Sequence, residues 1–316
     1  MKFLSTERFS ELRAINRPVH IAIGMFDGLH IGHQAVIQSA LRAADLDGGL
    51  SGVLTFNPHP SHLFRPGNPT PQIYPPRVKE ELLREMGVDL CLERRFDRAF
   101  AQNTAQNFVG WLLGVLPRLA SVSIGENFRF GKNRSGDPSF LVGKLRAAGV
   151  SVYSCERVHL DGEPISSTLI RSLLPAEPIE RVNRLLGRPY HSIGVVTRGK
   201  QLGRTIGFPT LNLPFEAEIA PGFGVVLARY RVLAPRPTTP RPAVANFGLR
   251  PTVGDETIPL LEVHSLEDCP AGYGDTVLVE WIRRLRPERR FDGLEELKTA
   301  IGADREEGLR WAAGGG

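Results

Sequence analysis

The sequence predicts an open α/β domain with a mostly parallel sheet, followed by a small antiparallel β-barrel or sandwich with a C-terminal helix. Three observations lead there. The first 175 residues alternate β-rich runs with helical patterns. From Tyr190 onward the chain reads as strands parted by Gly and Pro clusters. Its 316 residues also suit two domains better than one.

Val19–Ile23 (VHIAI) reads as a buried strand that runs into a glycine-studded turn. After it, Ile37, Ala40, Leu41 and Ala44 recur at helical spacing. SGVLTF (51–56) is the next strand, RVKEELLREMG (77–87) a helix and VDLCLE (88–93) a strand. A helix around 104–115, SVSIG (121–125), a helix near 138–148 and VSVYSC (150–155) continue the alternation expected of a sheet covered on both faces. Between the second strand and its helix lie seven prolines in twenty residues, NPHPSHLFRPGNPTPQIYPP, a long loop of the kind that carries function. PIERVNRLLG (178–187) is a connecting helix closed by a glycine. YHSIGVVTRG, FGVVLARYRVL, RPAVANFG, LLEVHSL and DTVLVEWIRRLR are the later strands, and Leu294, Leu297 and Ile301 mark an amphipathic helix that packs on them.

Composition narrows the function classes. Hydrophobic residues at 41% and charged residues at 23% are ordinary globular usage, which excludes a disordered or fibrous chain. Cys91, Cys155 and Cys269 have no paired spacing, so neither a structural zinc site nor a disulfide framework is expected, and a reducing, cytoplasmic setting fits. The net charge of +5 is spread as +4 before residue 176 and +1 after it, and RRLRPERR (283–290) is interrupted by Leu285, Pro287 and Glu288. Nucleic-acid binding would need a basic stripe within a recognisable module, and the sequence has neither. MKFLSTERFSELR places charges where a secretory leader needs an apolar stretch, and Phe108–Leu116 is too short to span a bilayer.

The sharpest local pattern is GMFDGLHIGHQ (24–34), directly after the first strand. A strand, a glycine turn and a helix start present backbone N–H groups where phosphates bind in parallel sheets. His30 and His33, three apart, reach the same side and are suited to triphosphate oxygens. ISSTLIR (165–171) offers hydroxyls at a helix start with Arg171 one turn on; alone it reads better as an ordinary capped helix, and together with His30 and His33 as one side of a phosphate clamp. GENFRFGKNRSGD (125–137) is either a nucleotide or substrate loop or a polar turn. GVVTRGK (194–200) matches GxxxxGK, but Gln201 stands where a Ser or Thr would hold Mg²⁺, and the region is strand-rich, so it is no P-loop. In the second half, LGRTIGFPTLNLP (202–214) supplies Thr210 and Asn212 as oxygen donors for Mg²⁺ and phosphate. NFGLRPTVG (246–254) is a second glycine turn. LLEVHSL puts Glu262 and His264 on one face of a strand, where Glu262 is either a functional carboxylate or an edge residue facing water.

Taken in order, GMFDGLHIGHQ, TFNPHP (55–60), GENFRFG, ISSTLIR, GRTIGFPTLN, NFGLRPT, LEVH and YGDTVLVEWIRRLRPERRF resemble the motifs of bacterial bifunctional riboflavin kinases/FAD synthetases, from about residue 15 to 311. The resemblance implies a Rossmann-like nucleotidyltransferase domain (1–175) that adenylates FMN, and a riboflavin kinase β-barrel with a linker helix (176–316). It implies ATP as co-substrate, Mg²⁺, and riboflavin, FMN and FAD as substrates or products. No nucleic-acid or membrane partner is expected, and the chain is expected to be a monomer or weak oligomer. On that resemblance, nucleotide contacts fall on Gly24, Phe26, Asp27, Gly28, His30, His33, Asn127, Ser167, Thr168 and Arg171, and in the kinase half on Gly207, Pro209, Thr210 and Asn212. Asn57, Pro58, Phe128 and Arg250 would contact flavin, Thr210 and Asn212 would take the metal, and Glu262 would be the base for the ribityl hydroxyl. His30, His33 and Arg171 would serve adenylyl transfer, which needs no base because the FMN phosphate is already anionic. Two departures stand out: GVVL (224–227) where the family commonly has GVYA, and PTLN where it has PTAN.

Overall fold

The computed structural model describes residues 1–199, 202–251 and 257–314, apart from the side chains of Thr6, Leu202, Arg204, Arg250, Pro251 and Thr257. The chain divides into two compact units: Met1–Gln72 with Lys79–Ser167, and Ile73–Val78 with Thr168–Gly316.

The first unit is built on a parallel sheet of six strands: β1 (Lys2–Ser5), β2 (Val19–Ile23), β3 (Leu50–Asn57), β4 (Leu90–Arg95), β5 (Leu119–Gly125) and β6 (Ser151–Cys155), in spatial order β1-β4-β3-β2-β5-β6. All five residues of β2 are buried, as a central parallel strand covered on both faces requires. Helices α1 (Ile31–Asp47), α2 (Pro60–Phe64), α3 (Pro76–Glu85), α4 (Arg98–Ala101), α5 (Ala105–Val115) and α6 (Pro138–Arg146) follow the strands. Caps fix where several of them begin: Asp97, Thr104 and Asp137 each accept a hydrogen bond from the backbone N–H three residues on. Glycine in the left-handed conformation closes α1 at Gly48 (φ 68°). The core joins Ile21, Leu54, Leu92, Val122 and Ile124 to Leu112, Leu141 and Leu145 from α5 and α6. Each such side chain contributes about 1.5–3 kcal/mol on burial.

The order of strands sets the site. From β2 the chain steps through β3 to β4 on one side, and β5 and β6 lie on the other. The reversal therefore falls between β2 and β5, and the crevice at their carboxyl ends is where ligands of such sheets bind. A short hairpin, β7 (His159–Leu160) and β8 (Glu163–Pro164), turns through Asp161 and Gly162 before α7 (Ser167–Leu173). Strand β1, which the reading of MKFLSTERFSELR does not foresee, adds an edge beside β4.

The second unit holds α8 (Ile179–Leu186) and strands β9 (Tyr190–Val195), β10 (Leu211–Pro214), β11 (Gly224–Ala234), β12 (Arg241–Pro251), β13 (Thr257–Ser265) and β14 (Thr276–Pro287), with α9 (Leu202–Thr205) and α10 (Leu294–Ala313). The strands form one antiparallel sheet, β10-β13-β12-β11-β14-β9. Its two edge strands approach each other: the Thr197 N–H donates to the Asn212 carbonyl at 2.9 Å, so the sheet curls toward closure. Trp281, fully buried, meets Tyr190 and Phe247 edge-on and gives its indole N–H to Ser192 Oγ at 2.9 Å. Helix α10 seats on the sheet through Gly308, where an added Cβ would lie 2.7 Å from Leu266 and 2.8 Å from Val244. Residues 73–78 belong to this unit: Tyr74 stacks on Tyr190 at 5.2 Å, the Tyr190 hydroxyl donates to the Ile73 carbonyl, and Arg77 donates to Thr276 Oγ1 at 2.8 Å.

Candidate active sites

In the first unit, GMFDGLH forms a tight turn between β2 and α1. Phe26 (φ 50°), Gly28 (φ 83°) and Leu29 (φ 45°) all take positive φ. For Phe26 and Leu29 that conformation costs energy, which burial of both side chains offsets. The Phe26 ring fills the space beside Gly24, where an added Cβ would stand 3.0 Å from ring carbons. His30 is the N-cap of α1: its Nδ1 accepts from the His33 N–H at 3.2 Å, so in the neutral ring the proton sits on Nε2. The His30 and His33 rings stack with centroids 3.6 Å apart, and His33 also meets Phe26 edge-on at 5.4 Å. Beneath the turn, buried Lys79 donates to Thr55 Oγ1 (3.3 Å), which donates to the Met25 carbonyl (3.1 Å). Burial pushes the Lys79 pKa down, while Cys91, Glu93 and Asp27 act in the opposite sense.

These residues line a cleft of about 280 Å³ that brings together Gly24, Phe26, His30, His33, Asn127 and Ser167. Ser167 is tied in directly, its hydroxyl donating to the Asp27 carbonyl at 2.8 Å. The unit boundary falls between Ser167 and Thr168, so Thr168 and Arg171 belong to the second unit. A larger cavity of about 680 Å³ shares Gly24, Asn127 and Phe128 with this cleft, and its walls include Phe56, Phe96, Phe100, Phe108 and Phe130. Phe128 and Phe130 stack at 5.5 Å, and the Arg94 guanidinium lies 4.4 Å from the centre of the Phe100 ring. The TFNPHP segment reaches this cavity through Phe56, His59 and Pro60, whereas Asn57 and Pro58 are not among its lining residues.

In the second unit a cavity of about 260 Å³ is lined by Thr210, Asn246, Glu262 and His264, with Arg286 and Asp304 at its helix side. Pairing explains the assembly. Asn212 on β10, Glu262 on β13 and Asn246 on β12 sit side by side in one cross-strand row, so all three share a face. Arg286 and Asp304 form an ion pair at 2.8 Å between β14 and α10. Asn212 is buried and does not line the cavity; its amide lies under Gly199, where an added Cβ would sit 2.7 Å from it. Gly207 has a φ of 88°, as the turn ahead of Pro209 requires. Of the two departures, Val226 is buried within β11, and Val225 rather than Val226 lines the cavity. The Arg250 side chain and residues Lys200 and Gln201 lie outside the described residues.

What the sequence did not disclose is chiefly the aromatic slot and Asn246. The phenylalanines come from β3, the segment after β4, α4, α5 and the loop after β5, with no shared local spacing. Asn246 stands beside Glu262 only through strand register.

Among the described residues no cluster of three or more His, Cys, Asp or Glu side chains is placed to hold a metal. Thr210 and Asn212 are oxygen donors, which fits a hard ion that takes its remaining ligands from phosphate and water. No helix among the described residues is long and apolar enough to cross a membrane.

Comparison with known proteins adds the following. Residues 12–169 match the family model described as FAD synthetase, and residues 186–312 match that described as riboflavin kinase. A bifunctional riboflavin kinase/FMN adenylyltransferase from Escherichia coli K12 is 37% identical over 284 residues, covering 90% of each chain. One of the same description from Bacillus subtilis is 34% identical over 300 residues and 92% of each chain. A crystal structure titled macrolide-efflux protein, from Streptococcus pneumoniae, superposes with a TM-score of 0.83 at 28% identity, covering 98% of this chain and all of that one.

Proposed function

The chain belongs to the bifunctional riboflavin kinase/FMN adenylyltransferase family, and from that premise we propose how its residues divide two reactions between its two halves. It is a transferase: it phosphorylates riboflavin with ATP to FMN, then adenylates FMN with a second ATP, giving FAD and pyrophosphate.

In the kinase half, Glu262 takes the proton of the terminal ribityl hydroxyl. The alcohol oxygen bonds to the γ-phosphorus of ATP as the bond to the β-phosphate oxygen breaks, and ADP leaves. A primary alcohol is a poor nucleophile near neutrality, so the base has work to do. Thr210 and Asn212 would hold Mg²⁺ with the nucleotide at the turn of Gly207 and Pro209; the ion supplies charge neutralisation on the phosphates. Arg250 is retained as a flavin contact on the family resemblance.

In the adenylyltransferase half, an oxygen of the FMN phosphate attacks the α-phosphorus of ATP and pyrophosphate leaves. No proton needs removing. The pair His30–His33 and the N-terminus of α1 steady the phosphates; with Nδ1 of His30 accepting from the His33 N–H, the proton of the neutral ring is on Nε2. Ser167 closes on the same phosphates and Asn127 contacts nucleotide, while Thr168 and Arg171 are retained as nucleotide contacts on the family resemblance. Phe128 and the aromatic slot take the isoalloxazine ring; Asn57 and Pro58, which do not line the slot, are retained as flavin contacts on the family resemblance alone.

One observation carries the reading: Gly24, Asn127 and Phe128 line both the histidine cleft and the aromatic slot, so a triphosphate and a flavin can meet there. The test is product chromatography from riboflavin, ATP and Mg²⁺, and separately from FMN. Both FMN and FAD should form in the first reaction and FAD in the second; FAD from FMN without FMN from riboflavin would reduce the barrel to a binding module. The chain is further proposed to act as a cytoplasmic monomer or weak oligomer, the oligomeric part of which light scattering checks.

A further inference from the structure

The kinase cavity holds an imidazole that the reaction above leaves unused. His264 sits two residues from Glu262 on the same face of β13 and lines the same cavity. Its Nδ1 lies 2.8 Å from the Pro209 carbonyl oxygen. A carbonyl only accepts, so Nδ1 carries the proton. Nε2 is buried without a hydrogen-bond partner, and the ring stands edge-on to Phe208 with centroids 5.6 Å apart.

An unpaired ring nitrogen in that position is unfavourable, and an apolar side chain of similar size would avoid it. The polar character of the ring is committed to one bond. That bond ends on the residue immediately before Thr210, and it links the turn bearing Thr210 to the strand bearing Glu262. We propose that His264 is a positioning residue of the kinase half, whose Nδ1–H holds the Pro209 carbonyl and thereby sets the Thr210 turn against Glu262. It touches no reacting atom; it acts through the Pro209–Thr210 peptide. The proposal rests on the barrel being the riboflavin kinase site.

The test uses the full chain with two substitutions. His264→Leu keeps bulk and removes the donor. His264→Asn puts an amide N–H near where Nδ1–H was and restores the bond. Three quantities are read: the KM for ATP in riboflavin phosphorylation, riboflavin affinity by flavin fluorescence quenching, and FAD formation from FMN. His264→Leu should raise the ATP KM by roughly 2–10-fold, the scale of one hydrogen bond, with riboflavin affinity and FAD formation unchanged. His264→Asn should return the ATP KM to within roughly threefold of the parent. The proposal is overturned by a parental ATP KM in His264→Leu, by equal damage in the Leu and Asn variants, or by a parallel loss of riboflavin affinity. If the parent chain itself fails to phosphorylate riboflavin, the kinase reading falls and this proposal with it.

Discussion

Ser167 gives its hydroxyl to the main-chain carbonyl of Asp27 at 2.8 Å, joining two segments 140 residues apart at one edge of the histidine cleft. The bond converts two separate sequence motifs into one wall. Ser167→Ala should weaken it by about 0.5–1.5 kcal/mol, a rise of roughly 2–10-fold in the ATP KM for FAD formation, with riboflavin phosphorylation untouched. Steady-state kinetics with FMN as substrate measure this; an unchanged KM would mean the contact serves only to join the two segments.

The stacked pair His30–His33 should be indispensable to one reaction only. The double change His30→Ala and His33→Ala is expected to abolish FMN-to-FAD conversion and spare riboflavin phosphorylation, since both rings line a cleft of the first unit. A folded double variant that lost both activities would contradict separate nucleotide sites.

Glu262→Gln should show the reverse pattern. Gln keeps the size and an acceptor within the row Asn212–Glu262–Asn246, so packing survives, but it cannot take the ribityl proton. Riboflavin phosphorylation should fall by about 10²–10⁴ while FMN adenylation persists. Paired assays on one preparation decide it, and a near-parental kinase rate would leave Glu262 as an ordinary strand carboxylate.

His191 predicts an acid sensitivity of the second unit. It is buried, and burial chiefly, helped by Arg188, Arg231 and Arg229 against its bond to the Pro189 carbonyl, pushes its pKa down to about 3 from 6.5. Glu280 lies 3.8 Å away, but at that pKa the ring is neutral and the contact is no ion pair; Glu280 pairs instead with Arg229 at 2.8 Å. Because the folded value is the lower one, protons favour the unfolded chain. The stabilisation is whole above pH 6.5 and drains away as pH falls toward 3. His191→Gln should therefore flatten the decline of Tm between about pH 7 and 5, measured by calorimetry; an identical slope in both proteins would assign the decline to other groups.

The extent of the kinase module is also testable. Starting a fragment at Arg181 removes buried Ile179 and Glu180, whose carboxylate accepts the Arg284 N–H at 3.2 Å. A fragment from Thr168 keeps both and should phosphorylate riboflavin, yet melt about 5–10 °C below the same unit in the full chain, because the Tyr74–Tyr190 stack is gone. The fragment from Arg181 should melt lower still. Equal melting of the two fragments would show that the first turn of α8 contributes nothing.

The regular part of this architecture was legible because its signals are local. Val19–Ile23 and SVSIG are short apolar runs bounded by turn residues, and Gly187 marks a helix end in the left-handed conformation it takes. His30 and His33 were legible for the same reason, being three residues apart at a helix start. Strand β1 was not, since KFLS is four residues with one buried side chain and its partner lies some 90 positions on. The aromatic slot and the row Asn212–Glu262–Asn246 are products of long-range pairing, which no window of sequence contains. GVVTRGK is refused as a phosphate loop on its residues alone, and only the structure gives Gly199 its task of leaving room for the Asn212 amide.

The short stretch Ile73–Val78 has a consequence for how the protein is made. It is synthesised 112 residues before Tyr190, the ring its Tyr74 covers, is joined to the chain. At translation speeds of about 5–20 residues per second, that is an interval of roughly 6–22 s during which Tyr74 has no platform. The parallel sheet therefore has to mature around a segment reserved for a later neighbour, and the nascent chain carries an aromatic group waiting for a surface not yet synthesised.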